Sequence, residues 1–517
     1  MLLDDLSSAF ESKTPHFLGS LILKQSDKVK SVIDGQQRLT TFSILVKALY
    51  DNIDDADRQE FFSIIYTRIS EEGIRVNKSK IRHSKADTKD FEIVMNAKSA
   101  KEITESSKIL DCYKFFSKEI AKLDSKVKFL DFIVNTDLFV VINIDEKDDE
   151  QQIFDSINSK GMPLSAADII KNDLFANLFK LYKNEKEAEE IYYNNWRDVF
   201  EPVREDEDDD NNFWEDKNGK RKDNFFYYFA LLQELFSKKE HNIKNLANVY
   251  KEYSKKSSKD DLVKFIKDIK TYAEVYQNLA WYNSKGSLKF EDYEARLMHI
   301  IEISQLETFM PIVLKLKLKN LDKQCFEALE KFIIRVWISG THTNSLNKFV
   351  AKNISKIKDY NSLIDVLNDK NFTVDDEALT AILKAKADSL SRKIKKLTNS
   401  KATLILFWIE LFNTKKELKY EYSLEHIMPQ EWKKNWKLDN PEQADNLIYQ
   451  IGNLTLLTKS LNSTNSNKAW VDKKKDLVKY TSLNISNDVK NANFWGKAEI
   501  EARTEDLIKD FFTIWSI

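Results

Sequence analysis

Cysteine, proline, histidine and glycine are all scarce in this chain of 517 residues, at 2, 6, 6 and 9. The two cysteines, Cys112 and Cys325, lie far apart and outside any Cys-x-x-Cys spacing. That excludes a disulfide framework and a zinc ribbon and fits a reducing cytoplasm. So little glycine and proline points to a helix-rich protein. No apolar run is long enough to span a bilayer: the strongest, TLILFWIELF (Thr403–Phe412), is short and contains Glu410. The opening MLLDDLSSAF carries acids where a signal peptide would carry lysines. Charge of one sign is also missing. Charged residues make up 32% of the chain, yet the formal net charge is −2. A uniformly basic nucleic-acid coat protein is thereby excluded, but a local basic groove is not. The expectation is a cytoplasmic protein with no membrane partner.

What is present suffices for several cores. Hydrophobic residues make up 42% of the chain, which argues against global disorder, and the length predicts roughly two to four domains. FLGSLILKQ and KSVID read as two strands joined by a polar turn, and from Gln36 a helix follows with Leu39, Phe42, Val46 and Leu49 on one face. FVVINID (Phe139–Asp145) reads as a buried strand. QQIFDSINSKGMPLSAADIIKNDLF then reads as helix, loop and helix, with Ser165 placed to cap the second helix and Asp168 in its first turn. An acidic stretch over 203–223 reads as a loop or boundary, and the pattern is helical and lysine-rich to about Asn399. Strand-like runs return near Tyr420. The expected fold class is α+β, predominantly helical and multidomain, with domains 1–180, 181–400 and 401–517.

One histidine stands out. SLEHIMPQEW places Glu425 directly before His426, with Pro429 three residues on. Further along, YQIGNLTLLTKSLNSTNSNKAWVDKKKDL places Asn453 in a strand preceded by Gly452, then Asn462, then a lysine-rich helix. Taken singly, His426 reads as a core histidine, Asn453 as a turn residue, Asn462 as a helix cap and the lysines as a solvated face. The ordered set resembles the HNH nucleases, whose ββα-metal fold has an acid–His pair on one strand, an Asn on the second and a metal ligand on the helix. The chemistry fits those residue types. A neutral imidazole can take a proton from water near pH 7, and a hard divalent cation on oxygen ligands can stabilise the leaving 3′-oxygen. The resemblance implies His426 as general base, Glu425 and Asn462 as ligands of Mg2+ or Mn2+, and Asn453 orienting the imidazole or bracing the loop. Lys468, Lys473, Lys474 and Lys475 would meet DNA phosphates. In a regular strand Glu425 and His426 face opposite ways, so both reach one ion only if the strand ends or bulges there.

SVIDGQQRLTT (Ser31–Thr41) is the second signal: a strand ends at Asp34-Gly35 and a helix opens with Gln36, Gln37 and Arg38. Free N–H groups at a helix start, with an arginine fork beside them, suit a phosphate. A turn with a structural Arg–Asp pair is the plain alternative. The absence of a Gly-x-x-x-x-Gly-Lys-Ser/Thr loop excludes an ordinary P-loop NTPase. IDGQQRLTT, FDSINSKGMPLSAADIIKN, EHIMPQ and IGNLTLLTKSLN together resemble the GmrSD family. Its members are modification-dependent (type IV) restriction endonucleases and related phage-defence nucleases. That resemblance implies a ParB-like α/β N-terminal domain, with Asp34, Gly35, Gln36, Gln37 and Arg38 as a nucleotide site, and an HNH C-terminal domain. Asn158, Gly161 and Asp168 would belong to a second recurrent motif of architectural role. Relative to the family pattern the chain starts inside the first helix, at MLLDDLSSAF, which implies either a misassigned start or a truncated N-terminal domain.

The resulting expectation is a metal-dependent endonuclease that cleaves foreign, modified DNA in phage defence, with an N-terminal domain that senses nucleotide or DNA. A nucleoside triphosphate is the second expected cofactor, and a homo-oligomer stays open. Two alternatives remain: an RNA-directed or nonspecific nuclease toxin, and a catalytically silent nucleotide- or DNA-binding regulator.

Overall fold

The structure is a computed structural model. It describes residues 2–13, 16–26, 29–71, 74–83, 85–144, 165–182, 184–201, 213–216, 219–236, 245–387, 393–434, 436, 444–458 and 468–516. The fold is a predominantly helical α+β arrangement with small sheets. It divides into two compact units, Met1–Pro163 and Leu164–Ile517.

In the first unit, helix α1 (Leu2–Ser12) precedes strands β1 (Gly19–Ser26) and β2 (Val29–Asp34), and helix α2 (Gln36–Asp51) follows at once. Then come α3 (Asp55–Ile65), the hairpin β3 (Tyr66–Glu71) and β4 (Ile74–Ser79), α4 (Lys85–Asn96), α5 (Lys108–Ile120), α6 (Lys126–Asn135) and β5 (Phe139–Ile144). The main sheet has order β2-β1-β5, with β2 antiparallel and β5 parallel to β1. Of the residues expected on the buried face of α2, Val46 and Leu49 are buried, while Leu39 and Phe42 are half-buried. Phe42 meets Phe139 of β5 edge to face at 5.3 Å.

The expected buried strand at Phe139–Asp145 needs correction. Among the described strands β5 lies at the edge of its sheet, and Val140 and Val141 remain 53% and 46% exposed. An apolar run alone does not tell a central strand from an edge strand; the number of neighbours does.

Helix α2, which begins at the DGQQR segment, is anchored from its far end. Lys47 and Asp51, one turn apart, form a buried ion pair. Lys47 also donates to the Ala97 carbonyl (2.7 Å), and the Tyr113 hydroxyl of α5 donates to Asp51 (2.5 Å). Burial pushes Lys47 down and Asp51 up. Removing one partner would leave an uncompensated buried charge, so the set holds α2 in one position against α5.

The second unit is built on helices that include α7 (Ala166–Leu181), α8 (Arg221–Leu232) and α9 (Lys259–Gln277), then α10 (Tyr293–Ser304), α11 (Lys323–Ser339) and α12 (Asn399–Thr414). The short strands β6 (Leu288–Lys289) and β7 (Glu417–Leu418) pair antiparallel. One cluster of buried residues runs from Ala167 to Trp515, so segments on both sides of residue 400 share a core. Much of the acidic stretch expected at 203–223 lies outside the described residues.

The run Thr403–Phe412 forms most of α12, which is capped by Thr398 and buried on every side from Ala402 to Leu411. Its carboxylate has a partner: Glu410 accepts from the backbone N–H groups of Asn484 (3.0 Å) and Ile485 (2.7 Å). Among the described residues no helix is long and apolar enough to cross a membrane.

His299 of α10 sits fully buried among Tyr420, Tyr282, Trp408 and Phe407, with ring centroids 4.5 to 5.9 Å away. Neither ring nitrogen has a hydrogen-bond partner among the described residues. Burial pushes its pKa down to about 3. The neutral ring is therefore the folded form, and the unfolded chain binds the extra proton between pH 6.5 and about 3. Stability is full above pH 6.5 and is lost as pH falls through that window, by at most about 1.4 kcal/mol per pH unit. Urea unfolding at pH 7 and pH 5 should show a larger loss in the native protein than in His299→Phe; equal losses would refute this assignment.

Candidate functional site

The strand pair expected around His426 is present as β8 (Tyr422–His426) and β9 (Leu454–Thr458). They run antiparallel in regular register, with Glu425 opposite Thr455 and His426 opposite Leu454. Helix α13 (Trp470–Tyr480) follows in sequence, and α14 (Lys497–Trp515) closes the unit. The end of β8, β9 and α13 share a small core that includes Ile427, Met428, Leu457, Leu477 and Trp495. β8 stops at His426, so the strand end expected from Pro429 is where the acid–His pair sits.

Asn453 belongs to the turn Ile451–Asn453 just before β9, one residue earlier than the strand position expected for it. Its fully buried amide donates to the carbonyls of Met428 (2.9 Å) and Ile448 (3.0 Å). It accepts from the Met428 N–H (2.8 Å) and the Trp495 indole (3.1 Å). Two donors and two lone pairs are all that an asparagine amide has. The side chain is therefore saturated and braces the segment after His426, with no hydrogen bond left for the imidazole. The same turn is pinned from α14. Arg503 donates to the carbonyls of Gly452 (2.5 Å) and Leu454 (2.8 Å), and a Cβ on Gly452 would lie 2.3 Å from the Ile500 carbonyl oxygen. Only glycine allows that approach.

Glu425, expected to face a metal, instead accepts from Lys473 of α13 at 2.5 Å. Lys473 also donates to the His426 carbonyl at 2.7 Å. Lys473, expected among the DNA-facing lysines, is 1% exposed, and its ammonium lies inside and joins α13 to β8. Burial pushes the Glu425 carboxyl up and the Lys473 ammonium down. The other three lysines differ. Lys468 pairs with Asp476 at 2.7 Å, Lys474 donates to the Ala492 carbonyl at 2.7 Å, and Lys475 is exposed.

The His426 ring is half-buried and meets the Tyr449 ring edge to face, with centroids 5.8 Å apart. Burial, together with the positive charges of Lys473 and Lys396, pushes its pKa down to about 4. The imidazole is thus neutral at pH 7, and neither ring nitrogen has a hydrogen-bond partner among the described residues. Lys396 stands 3.4 Å from the centroid of Tyr449. Sequence reading assigns no role to Lys396, within the basic run Ser391–Lys401, or to Tyr449, the first residue of the YQIGN stretch. Lys473 does carry a signal: Trp470, Lys473 and Leu477 fall on one helical stripe.

Whether these residues fit a divalent ion turns on the same pair. Among the described residues no group of three or more His, Cys, Asp or Glu side chains converges. An ammonium held at Glu425 repels a second cation there. Asn462 lies outside the described residues. The described residues therefore do not by themselves provide a metal centre.

The N-terminal candidate lies in the first unit. Gly35 takes a left-handed conformation (φ 90°) and turns β2 directly into α2 with no side-chain cap. A Cβ there would also lie 2.4 Å from Leu21. The first N–H groups of α2 thus have no side-chain partner. Asp34 and Arg38 form an ion pair at 2.7 Å, and the Arg38 guanidinium lies against Gly19, where a Cβ would come 2.3 Å from it. Gln36 and Gln37 are exposed, and Gln36 donates to the Val32 carbonyl (3.0 Å). Thr40, one turn further on, bonds His83 at 2.8 Å, a neighbour that no motif announces. Asn158 and Gly161 lie outside the described residues. Asp168 forms a capping box with Ser165 at the start of α7, where Asp223 also accepts from the N–H of Ala167 (2.8 Å).

Two family descriptions match the chain. The N-terminal domain of the GmrSD restriction endonuclease matches residues 1–175, and the C-terminal domain of the GmrSD restriction endonucleases matches residues 357–510. The second match contains β8, β9 and α13, and the first contains the turn at Gly35. A search of curated proteins finds no match. With both domains matched in order over more than half of its length, the chain belongs to the GmrSD restriction endonuclease family, whose substrate is DNA.

Proposed function

We propose that this chain is an HNH-type endonuclease that hydrolyses foreign, modified DNA in phage defence, under the control of a ParB-like N-terminal domain that senses nucleotide. The observation that carries the nuclease reading is His426: a neutral, half-buried imidazole with no hydrogen-bond partner among the described residues, at the end of strand β8, next to the segment that Asn453 braces. In this reading a ring nitrogen of His426 takes the proton of a water molecule as its oxygen bonds to phosphorus, and the bond to the leaving 3′-oxygen breaks. A pKa near 4 makes His426 a weak base in the free protein, and the negative charge of a bound phosphate raises it toward neutrality. Asn453 is a positioning residue, because it holds the chain after His426 without reaching the reacting atoms. Hydrolysis would require Mg2+ or Mn2+, for which no ligand is assigned among the described residues.

At the N-terminal site, the open start of α2, the exposed Gln36 and Gln37, and Arg38 beside them support binding of a nucleotide phosphate. Asp34 holds the Arg38 fork in place and supplies a carboxylate for a sugar or base. The cytoplasm is the proposed compartment.

Purified protein with Mg2+ or Mn2+ should cleave modified phage DNA in preference to unmodified plasmid and to RNA, and chelation should stop it. His426→Ala should abolish cleavage while leaving DNA binding intact, and full cleavage by that variant would refute the mechanism. Asn453→Ala strands several buried groups and should lower unfolding free energy by roughly 3 kcal/mol. A loss below about 1 kcal/mol in urea titration would contradict the brace. Arg38→Ala should weaken nucleoside triphosphate binding measured by calorimetry; unchanged affinity would remove Arg38 from the site.

A further inference from the structure

A phosphodiester arriving at His426 needs a positive charge on the protein to receive it. Two ammonium groups bear on the His426 ring, those of Lys473 and Lys396. Lys473 is buried, with Glu425 and the His426 carbonyl as its partners, so it cannot turn toward a ligand without breaking both contacts. Lys396 is exposed and has no carboxylate partner among the described residues. It is also held in place. Two residues before it, Ile394 bridges to Ala387; next to it Leu397 is buried; two residues after it Thr398 caps α12. Its ammonium rests on the face of Tyr449, 3.4 Å from the ring centroid. Tyr449 ends the short helix Ala444–Tyr449, and the turn that follows is the one clamped through Asn453. The same tyrosine ring touches His426.

We propose that Lys396, seated on Tyr449, is the residue that receives the scissile phosphate beside His426, and that Tyr449 is the positioning residue that couples the cation to the base. The proposal rests on the nuclease reading for the identity of its ligand. An aromatic face holds an ammonium without neutralising it, unlike a carboxylate, so the charge stays available to an anion. The alternative is a plain surface contact of an exposed lysine on a half-buried tyrosine, with no ligand. The two accounts differ in what salt does. A phosphate contact releases counterions when DNA binds, and a surface contact does not.

The test uses the full-length protein. Equilibrium binding of double-stranded DNA is measured across a salt series in the His426→Ala background, where no cleavage intervenes. Adding Lys396→Gln should weaken binding to all sequences alike and reduce the slope of log K against log salt by about one. Lys396→Arg should restore the slope. Tyr449→Phe keeps a ring face and should behave as the native residue, whereas Tyr449→Leu should lower affinity and reduce kcat in the active protein. An unchanged slope in Lys396→Gln, or the same deficit in Lys396→Arg and Lys396→Gln, would overturn the proposal. Full cleavage by His426→Ala would refute the nuclease mechanism, yet the salt slope would still decide whether Lys396 meets phosphate.

Discussion

Everything at the C-terminal site depends on one saturated amide. Asn453 ties the chain leaving β8 to the turn entering β9 through its own four hydrogen bonds, and Trp495 closes the set from the next layer. Because the amide is fully buried, each of those bonds, if broken, would leave an unpaired polar group inside the protein. The turn is held a second time by Arg503 and by the close approach of Gly452 to α14. His426 is therefore presented by a rigid frame, and its surroundings, more than its own type, set its proton affinity.

The buried Glu425–Lys473 pair plays a different part. It couples α13 to β8 and brings a fixed positive charge close to the His426 backbone. Buried pairs of this kind add little net stability, because both charges lose water, but they allow only one arrangement of the groups that form them. The effect on chemistry is indirect: the ammonium helps keep the imidazole neutral and takes up a carboxylate that would otherwise be open to a cation. In the first unit the Lys47–Asp51–Tyr113 set does comparable work for α2, fixing the helix whose other end opens at Gly35.

Much of this arrangement is legible in the order of residues. The alternation of apolar residues marks β1, β2 and α2, and Ser165 marks the start of α7. The order of Glu425, His426, Asn453 and a following helix indicates two strands and a helix around one histidine. The family resemblance drawn from those segments agrees with the two domain matches. Where the sequence misleads, the causes are physical. Phe139–Ile144 is apolar enough for a central strand but has one neighbour among the described strands. Lys473 sits in a run of three lysines that looks like a solvated face, and only its helical phase with Leu477 turns it inward.

Residue order alone establishes which groups exist and how they succeed one another: a histidine after a carboxylate, an asparagine at a turn, a glycine ahead of a helix. Local rules of periodicity and capping act over a few residues, and those can be read along a chain. Which of these groups meet is a matter of packing between distant segments. Lys473 reaches Glu425, Trp495 reaches Asn453, and Lys396 reaches Tyr449 across long stretches of sequence. Burial and neighbouring charge then set what each can do, because proton affinity and hydrogen-bonding capacity depend on surroundings that no local pattern records.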